Sequence, residues 1–96
     1  MNNISPLEYK ILDLLRDAQE CYGLEMVKES GGALKRGSIY VTLSRMESKG
    51  YIESRQEFTT SISGMPRRLY KISGLGQQML MATDAARAVF YGGQHV

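Results

Sequence analysis

The chain predicts a mainly α-helical domain with one small antiparallel β-hairpin. Apolar residues recur at helical spacing in four segments, the period changes to strand-like alternation after Gly50, and glycines punctuate the joins. Ninety-six residues is the length of one domain, enough to bury roughly 60–65% of the unfolded surface around a modest core. Hydrophobic residues at 43% and charged ones at 23% are ordinary for such a domain, which argues against general disorder. No apolar run approaches the ~18–20 residues that span a bilayer. The start Met1-Asn2-Asn3-Ile4-Ser5-Pro6 lacks the basic and apolar stretches of a secretory signal. The single cysteine, Cys21, excludes an internal disulfide and a cysteine-pair zinc site. A cytoplasmic protein with no membrane, metal or cofactor is expected.

The first helix starts at Ser5. That residue can cap, Pro6 suits the first helical position, Glu8 completes a capping box, and Ile4 with Tyr9 forms a hydrophobic staple. Leu7, Ile11, Leu14, Leu15 and Ala18 then repeat at helical spacing, so the helix should run to about Ala18. Leu12 falls beside that stripe, which predicts burial of more than one face. After Tyr22-Gly23 a short helix over residues 24–30 is stopped by Gly31-Gly32. A third helix begins near Gly37-Ser38 and ends at Lys49-Gly50, where Lys49 also suits the helix dipole. On its wheel Ile39, Leu43 and Met46 form a narrow apolar face. Ser38, Val41, Arg45, Ser48 and Lys49 lie opposite, small, hydroxylic or basic, and without a carboxylate.

Residues 51–58 and 67–72 read as strands, separated by a polar loop over residues 59–66 that is too long for a tight turn. Ser73 can cap a fourth helix of about 17 residues, on which Leu75, Met79, Ala82, Ala86 and Val89 form a short heptad seam. Gly92-Gly93 ends it, and residues 94–96, with the lone His95, form a frayed tail.

Helix, helix, helix, strand, long loop, strand, helix is the order of a winged helix-turn-helix. Such a domain docks one helix by its apolar face and presents the other face to the major groove. The third helix meets that requirement. Charge agrees: residues 34–72 hold eight Lys/Arg against Glu47, Glu53 and Glu57, a net of +5, while the rest of the chain is at −3. A basic middle between acidic flanks suits a polyanion. Residues 1–73 are therefore expected to form the DNA-binding winged helix, and residues 74–92 a dimerisation helix of the same domain. The hairpin offers Arg55, Arg67 and Arg68 to DNA.

These residues resemble the PadR family of winged-helix transcriptional regulators. Tyr22-Gly23-Leu24-Glu25-Met26-Val27 is similar to the family's Y-G-x-E opening of helix two. Gly37-Ser38-Ile39-Tyr40-Val41-Thr42-Leu43-Ser44-Arg45-Met46-Glu47 resembles its recognition helix. Gly50-Tyr51-Ile52 is similar to the entry to the wing, Gly64-Met65-Pro66-Arg67-Arg68-Leu69-Tyr70 to the return strand, and Ser73-Gly74-Leu75-Gly76 to the start of helix four. Val41 departs from the pattern, standing where the family commonly has proline, and so does Leu34-Lys35-Arg36 before the helix. The likeness is to the short form, with one helix after the wing. It implies a dimeric repressor that binds double-stranded DNA; small aromatic effectors, known for some relatives, do not carry over safely to this chain.

The individual residues keep alternatives. Arg45 reads a guanine or is a solvated helix charge. Tyr40 either bonds a phosphate or packs half-buried, and Ser38 caps the helix, touches a phosphate, or does both. Val41, Thr42 and Lys49 complete the candidate DNA surface. Lys35 and Arg36 are phosphate contacts or solvated loop charges. Arg67 and Arg68 point to opposite faces of their strand, so only one should face DNA. Cys21 reads as inert, and Met79 and Met81 as core or interface filling rather than a ligand pocket.

A fourth helix ~25 Å long must overrun so small a domain. Its seam, with Phe90 and with Leu12 or Leu15 of the first helix, is expected to pair with a second copy about a two-fold axis. The operator should then be an inverted repeat. There is no nucleophile–histidine–carboxylate set and no phosphate-cradling glycine loop, so an enzyme is not expected. The competing class is a winged helix that binds protein through the same surface.

Overall fold

The computed structural model describes residues 4–17, 19–57 and 67–92, with the backbone alone for 90–92. Ser5 starts the chain's first helix, α1 (Pro6–Leu15), as its side chains dictate. Its hydroxyl accepts the Glu8 N–H at 3.1 Å, and Glu8 Oε1 accepts the Ser5 N–H at 2.8 Å. The helix stops at Leu15, short of the expected Ala18, a residue that lies outside the described ones. Arg16 closes the last turn with its N–H on the Asp13 carbonyl at 3.2 Å. The chain must turn back there to lay β1 (Cys21–Tyr22) against the sheet.

This two-residue strand is absent from the sequence reading. It pairs Cys21 with Tyr70 and Tyr22 with Leu69 on β3 (Arg67–Ile72), which pairs on its other edge with β2 (Ile52–Glu57). The sheet is antiparallel with order β1-β3-β2. Alternation along the strands turns Ile52 and Tyr70 into the core and carries Ser54, Gln56 and Arg68 on the same face. Arg55, Glu57, Arg67 and Lys71 take the other face. The expected loop over residues 59–66, Phe58 and the tail of 93–96 lie outside the described residues.

Between β1 and the hairpin of β2 and β3 run α2 (Gly23–Glu29) and α3 (Ile39–Ser48). Gly31 and Gly32 both take positive φ, 64° and 97°, and so turn the chain after α2. The end of α3 is a Schellman motif. The Tyr51 N–H reaches the Met46 carbonyl and the Gly50 N–H that of Glu47, each at 3.0 Å, with Gly50 at φ 83°.

Ile11, Leu12, Leu15, Met26, Ile39, Leu43, Met46 and Ile52 are fully buried and make one core, to which α4 (Gly74–Gly92) adds Leu80. The burial of Leu12 and Leu15 corrects their assignment to a dimer wall. Helix α1 is packed by α2, β3 and α4, so neither leucine keeps any surface for a second chain. The seam on α4 also splits. Only Met79 is half-buried against the core, and the inward stripe is Gly76, Met79, Leu80, Thr83 and Asp84. Leu75, Ala82, Ala86 and Val89 face outward; the Phe90 side chain lies outside the described residues.

Helix α4 is anchored at its start. Ser73 Oγ donates to the Gly50 carbonyl at 2.6 Å and accepts the Gly76 N–H at 2.9 Å. Further along, Asp84 accepts the Tyr9 hydroxyl at 2.7 Å and Arg16 Nη1 at 2.6 Å, which holds α4 to α1. The long dimension of the molecule, 55 Å against 26 and 21 Å, reflects a helix of 19 residues leaving a small body.

Candidate nucleic-acid interface

Helix α3 buries Ile39, Leu43 and Met46 and leaves Tyr40, Val41, Ser44, Arg45 and Ser48 exposed. Those five lie at steps of one, three, one and three, which keeps them on one side of the helix. Ser44 joins the face expected from the sequence, since the helical wheel places it between Tyr40 and Ser48. Arg45 makes no ion pair among the described residues, so its five donors in a fixed fork remain available to a base edge or a phosphate.

Both flanks of this face are organised by sequence-distant contacts. On one, Glu47 accepts the Ser54 hydroxyl at 2.8 Å, and Ser54 Oγ accepts Arg68 Nη1 at 3.0 Å. The carboxylate of α3 is thus drawn toward the hairpin and linked through Ser54 to Arg68, which is held on the α3 side of the sheet. Gln56 stands opposite Arg68 in register. On the other flank, Lys49 Nζ meets Glu8 Oε2 at 2.6 Å and lies 5.8 Å from the Tyr51 ring centre. Lys49, expected on the basic face, is exposed, and its ammonium is paired with the first turn of α1. Burial alone would raise the Glu8 carboxyl, but the bonds from Lys49 and Ser5 outweigh it and hold the pKa below the usual 4.5. Lys49 is raised in turn, mainly through its bond to Glu8.

Tyr40 is 49% exposed, yet its ring also packs. A Cβ on Gly23 would stand 2.9 Å from Tyr40 Cε1 and 3.2 Å from Leu43 Cδ1, so glycine at the start of α2 makes room for this contact. Ser38 precedes α3 without a side-chain cap, leaving its hydroxyl uncommitted to the helix. Thr42 is half-buried and donates Oγ1 to the Ser38 carbonyl at 3.2 Å. Lys35 and Arg36 are exposed in the turn just before the helix, where the Ile39 N–H bonds the Lys35 carbonyl at 3.0 Å.

The remaining arginines turn away. Arg55 binds Glu20 through two N–H groups at 2.6 and 2.7 Å on the far side of the sheet. Arg67 lies over the Tyr22 ring, 5.3 Å from its centre. The Tyr22 hydroxyl bonds Glu57 at 2.5 Å, which raises its pKa. The expectation that only one of the two adjacent arginines shares the side of α3 therefore resolves to Arg68. Cys21 is buried, and burial first, then Glu25 and Glu29, pushes its thiol above the usual 9.0. No three His, Cys, Asp or Glu side chains converge among the described residues, and no described helix is long and apolar enough to cross a membrane.

No curated protein matches the chain, whereas solved structures do. A PadR family transcription regulator from Clostridium difficile R20291 is 28% identical, with 95% of this chain and 96% of that one covered at a TM-score of 0.78. A PadR-like transcription factor from Bacteroides fragilis is 25% identical, with 93% and 86% covered at 0.76. Bacillus subtilis PadR, solved in complex with operator DNA, is 25% identical over 84% of this chain at 0.70; the match spans 47% of that longer protein. The model of the transcriptional regulator PadR-like family matches residues 11–82. With its four helices and small antiparallel sheet, the chain belongs to the PadR-like family of transcriptional regulators.

Proposed function

We propose that the protein is a sequence-specific repressor that binds double-stranded DNA in the cytoplasm as a two-fold dimer. Residues 1–73 bind DNA, and the residues after them form the dimerisation helix. The observation that carries this reading is the exposed face of α3, with Arg45 among Tyr40, Val41, Ser44 and Ser48 and its one flanking carboxylate, Glu47, engaged by Ser54. That surface fits the major groove by shape and by charge. Lys35, Arg36 and Ser38 at its leading end, and Arg68 beside it, supply backbone contacts that set orientation. The relative from Bacillus subtilis, solved on its operator, supports DNA as the partner.

Dimerisation rests on the outward side of α4, where Leu75 at 45% and Val89 at 79% exposure share a side with Ala82 and Ala86. The small alanines let two such helices approach closely. A mobility shift on the protein's own promoter region, with random duplex in excess, tests the reading. A retained shift supports it; no shift by a folded dimer favours a protein-binding winged helix instead. On the preferred site Arg45→Ala should cost about 1–3 kcal/mol, and far less on random DNA. Equal losses on both would reduce Arg45 to a phosphate contact.

A further inference from the structure

Val41 is the aliphatic residue of α3 that the described residues leave exposed. It is the third residue of the helix, 53% exposed, and stands near the point of the wheel opposite the buried Ile39 and Leu43. A β-branched side chain there loses rotamer freedom in the helix and leaves apolar surface in water. The neighbours on its face are polar: Ser44 and Ser48 on one side, Arg45 on the other, one helical turn further along.

From this the geometry points to a thymine reader: Val41 packs against the C5 methyl group of a thymine in each operator half-site. The inference rests on α3 lying in the major groove, as proposed above. Three features carry it. The N-terminal part of a recognition helix is the part that reaches base edges, and Val41 is in its first turn. The thymine methyl is the one apolar group that the four base pairs present in that groove, so an apolar side chain selects it by removing both surfaces from water. The side chain is also available, since it is exposed among the described residues.

The same geometry places the base relative to its neighbour. Residues 41 and 45 are four apart, about 6 Å along the helix axis. At about 3.4 Å per base step, the thymine lies within roughly two base pairs of the base that Arg45 reads. A bidentate arginine favours guanine. The half-site should accordingly contain a thymine and a guanine at that separation, on either strand.

The test replaces single thymines with deoxyuridine in the operator recovered by selection from genomic fragments. This removes the methyl and keeps every hydrogen-bonding group. The wild-type protein should lose about fourfold in affinity per half-site at one thymine position, the change expected for one buried methyl, and little at the others. Val41→Ala should bind the thymine operator more weakly and the thymine and uracil operators equally. Because Val41 is exposed, that variant should keep the wild-type melting temperature, so a lost contact is separable from a lost fold. Uracil tolerated at every position by the wild type overturns the inference, and so does a methyl effect undiminished in Val41→Ala. If the wild type selects no operator over random duplex, the reading of α3 itself fails and this inference falls with it.

Discussion

Arg67 and Arg68 are adjacent and alike, but one lies over the Tyr22 ring and the other is linked through Ser54 to Glu47 on the side of α3. Arg68→Ala should weaken binding to specific and random DNA together and flatten the salt dependence by about one unit of slope. Arg67→Ala should leave the slope unchanged. Affinities measured over a salt series decide it; equal effects of the two variants would contradict the assignment of Arg68 alone to the α3 side of β3. The opposition of the two side chains was legible from strand alternation, but which one faces α3 depends on Ser54 and Glu47, residues distant in sequence. Lys49 shows the same limit. Its place at the end of α3 reads as a free charge until folding brings Glu8 to within 2.6 Å. The exposed face of α3 was legible because it depends only on the helical period and on which three residues are buried.

At the scale of elements, two contacts with α4 decide how the helix is mounted. A Cβ on Gly76 would lie 2.0 Å from the Tyr51 carbonyl oxygen. The obstacle is backbone that the Schellman turn and Ser73 hold in place, so Gly76→Ala should destabilise by about 3 kcal/mol, the upper part of the overpacking range. Chemical denaturation would check it, with an unchanged midpoint counting against the close approach. The second contact is Asp84 with Arg16 and Tyr9. Arg16 first, then Tyr9, holds the Asp84 carboxyl below its usual 3.8. A carboxyl lowered by folding contributes stability above its unfolded pKa and loses it as pH falls through the folded one. Asp84→Asn should therefore narrow the stability difference between about pH 5 and pH 2, measured as denaturation midpoints across that range. Identical pH dependence in the two proteins would contradict the role of the ion pair. This contact also explains what the sequence hid: Arg16 closes α1 early and turns to a residue 68 positions away, and a strand of two residues carries no period by which β1 could be found. The four helices and the hairpin carried caps, glycine stops and full periods, and these were legible.

The whole molecule is a small winged body from which α4 projects an outward side of Leu75, Ala82, Ala86 and Val89. The sequence seam was legible as apolar spacing, but spacing does not say which part of it the chain covers itself; Met79 and Leu80 go inward, and Leu12 and Leu15 are spent on the core. Placing Glu at both Ala86 and Val89 should put like charges across the proposed two-fold interface. Sedimentation should then find wild-type dimers and variant monomers at micromolar concentration, whereas dimers in both would move the interface elsewhere. Two recognition helices related by that axis would meet successive major grooves of an inverted repeat. The most direct test is the affinity of the intact protein for its selected operator, compared with the same duplex carrying one scrambled half-site, both in excess random DNA. Binding should weaken by about two to three orders of magnitude when one half-site is lost; equal affinity for the two duplexes would contradict a dimer that reads DNA with both copies of α3.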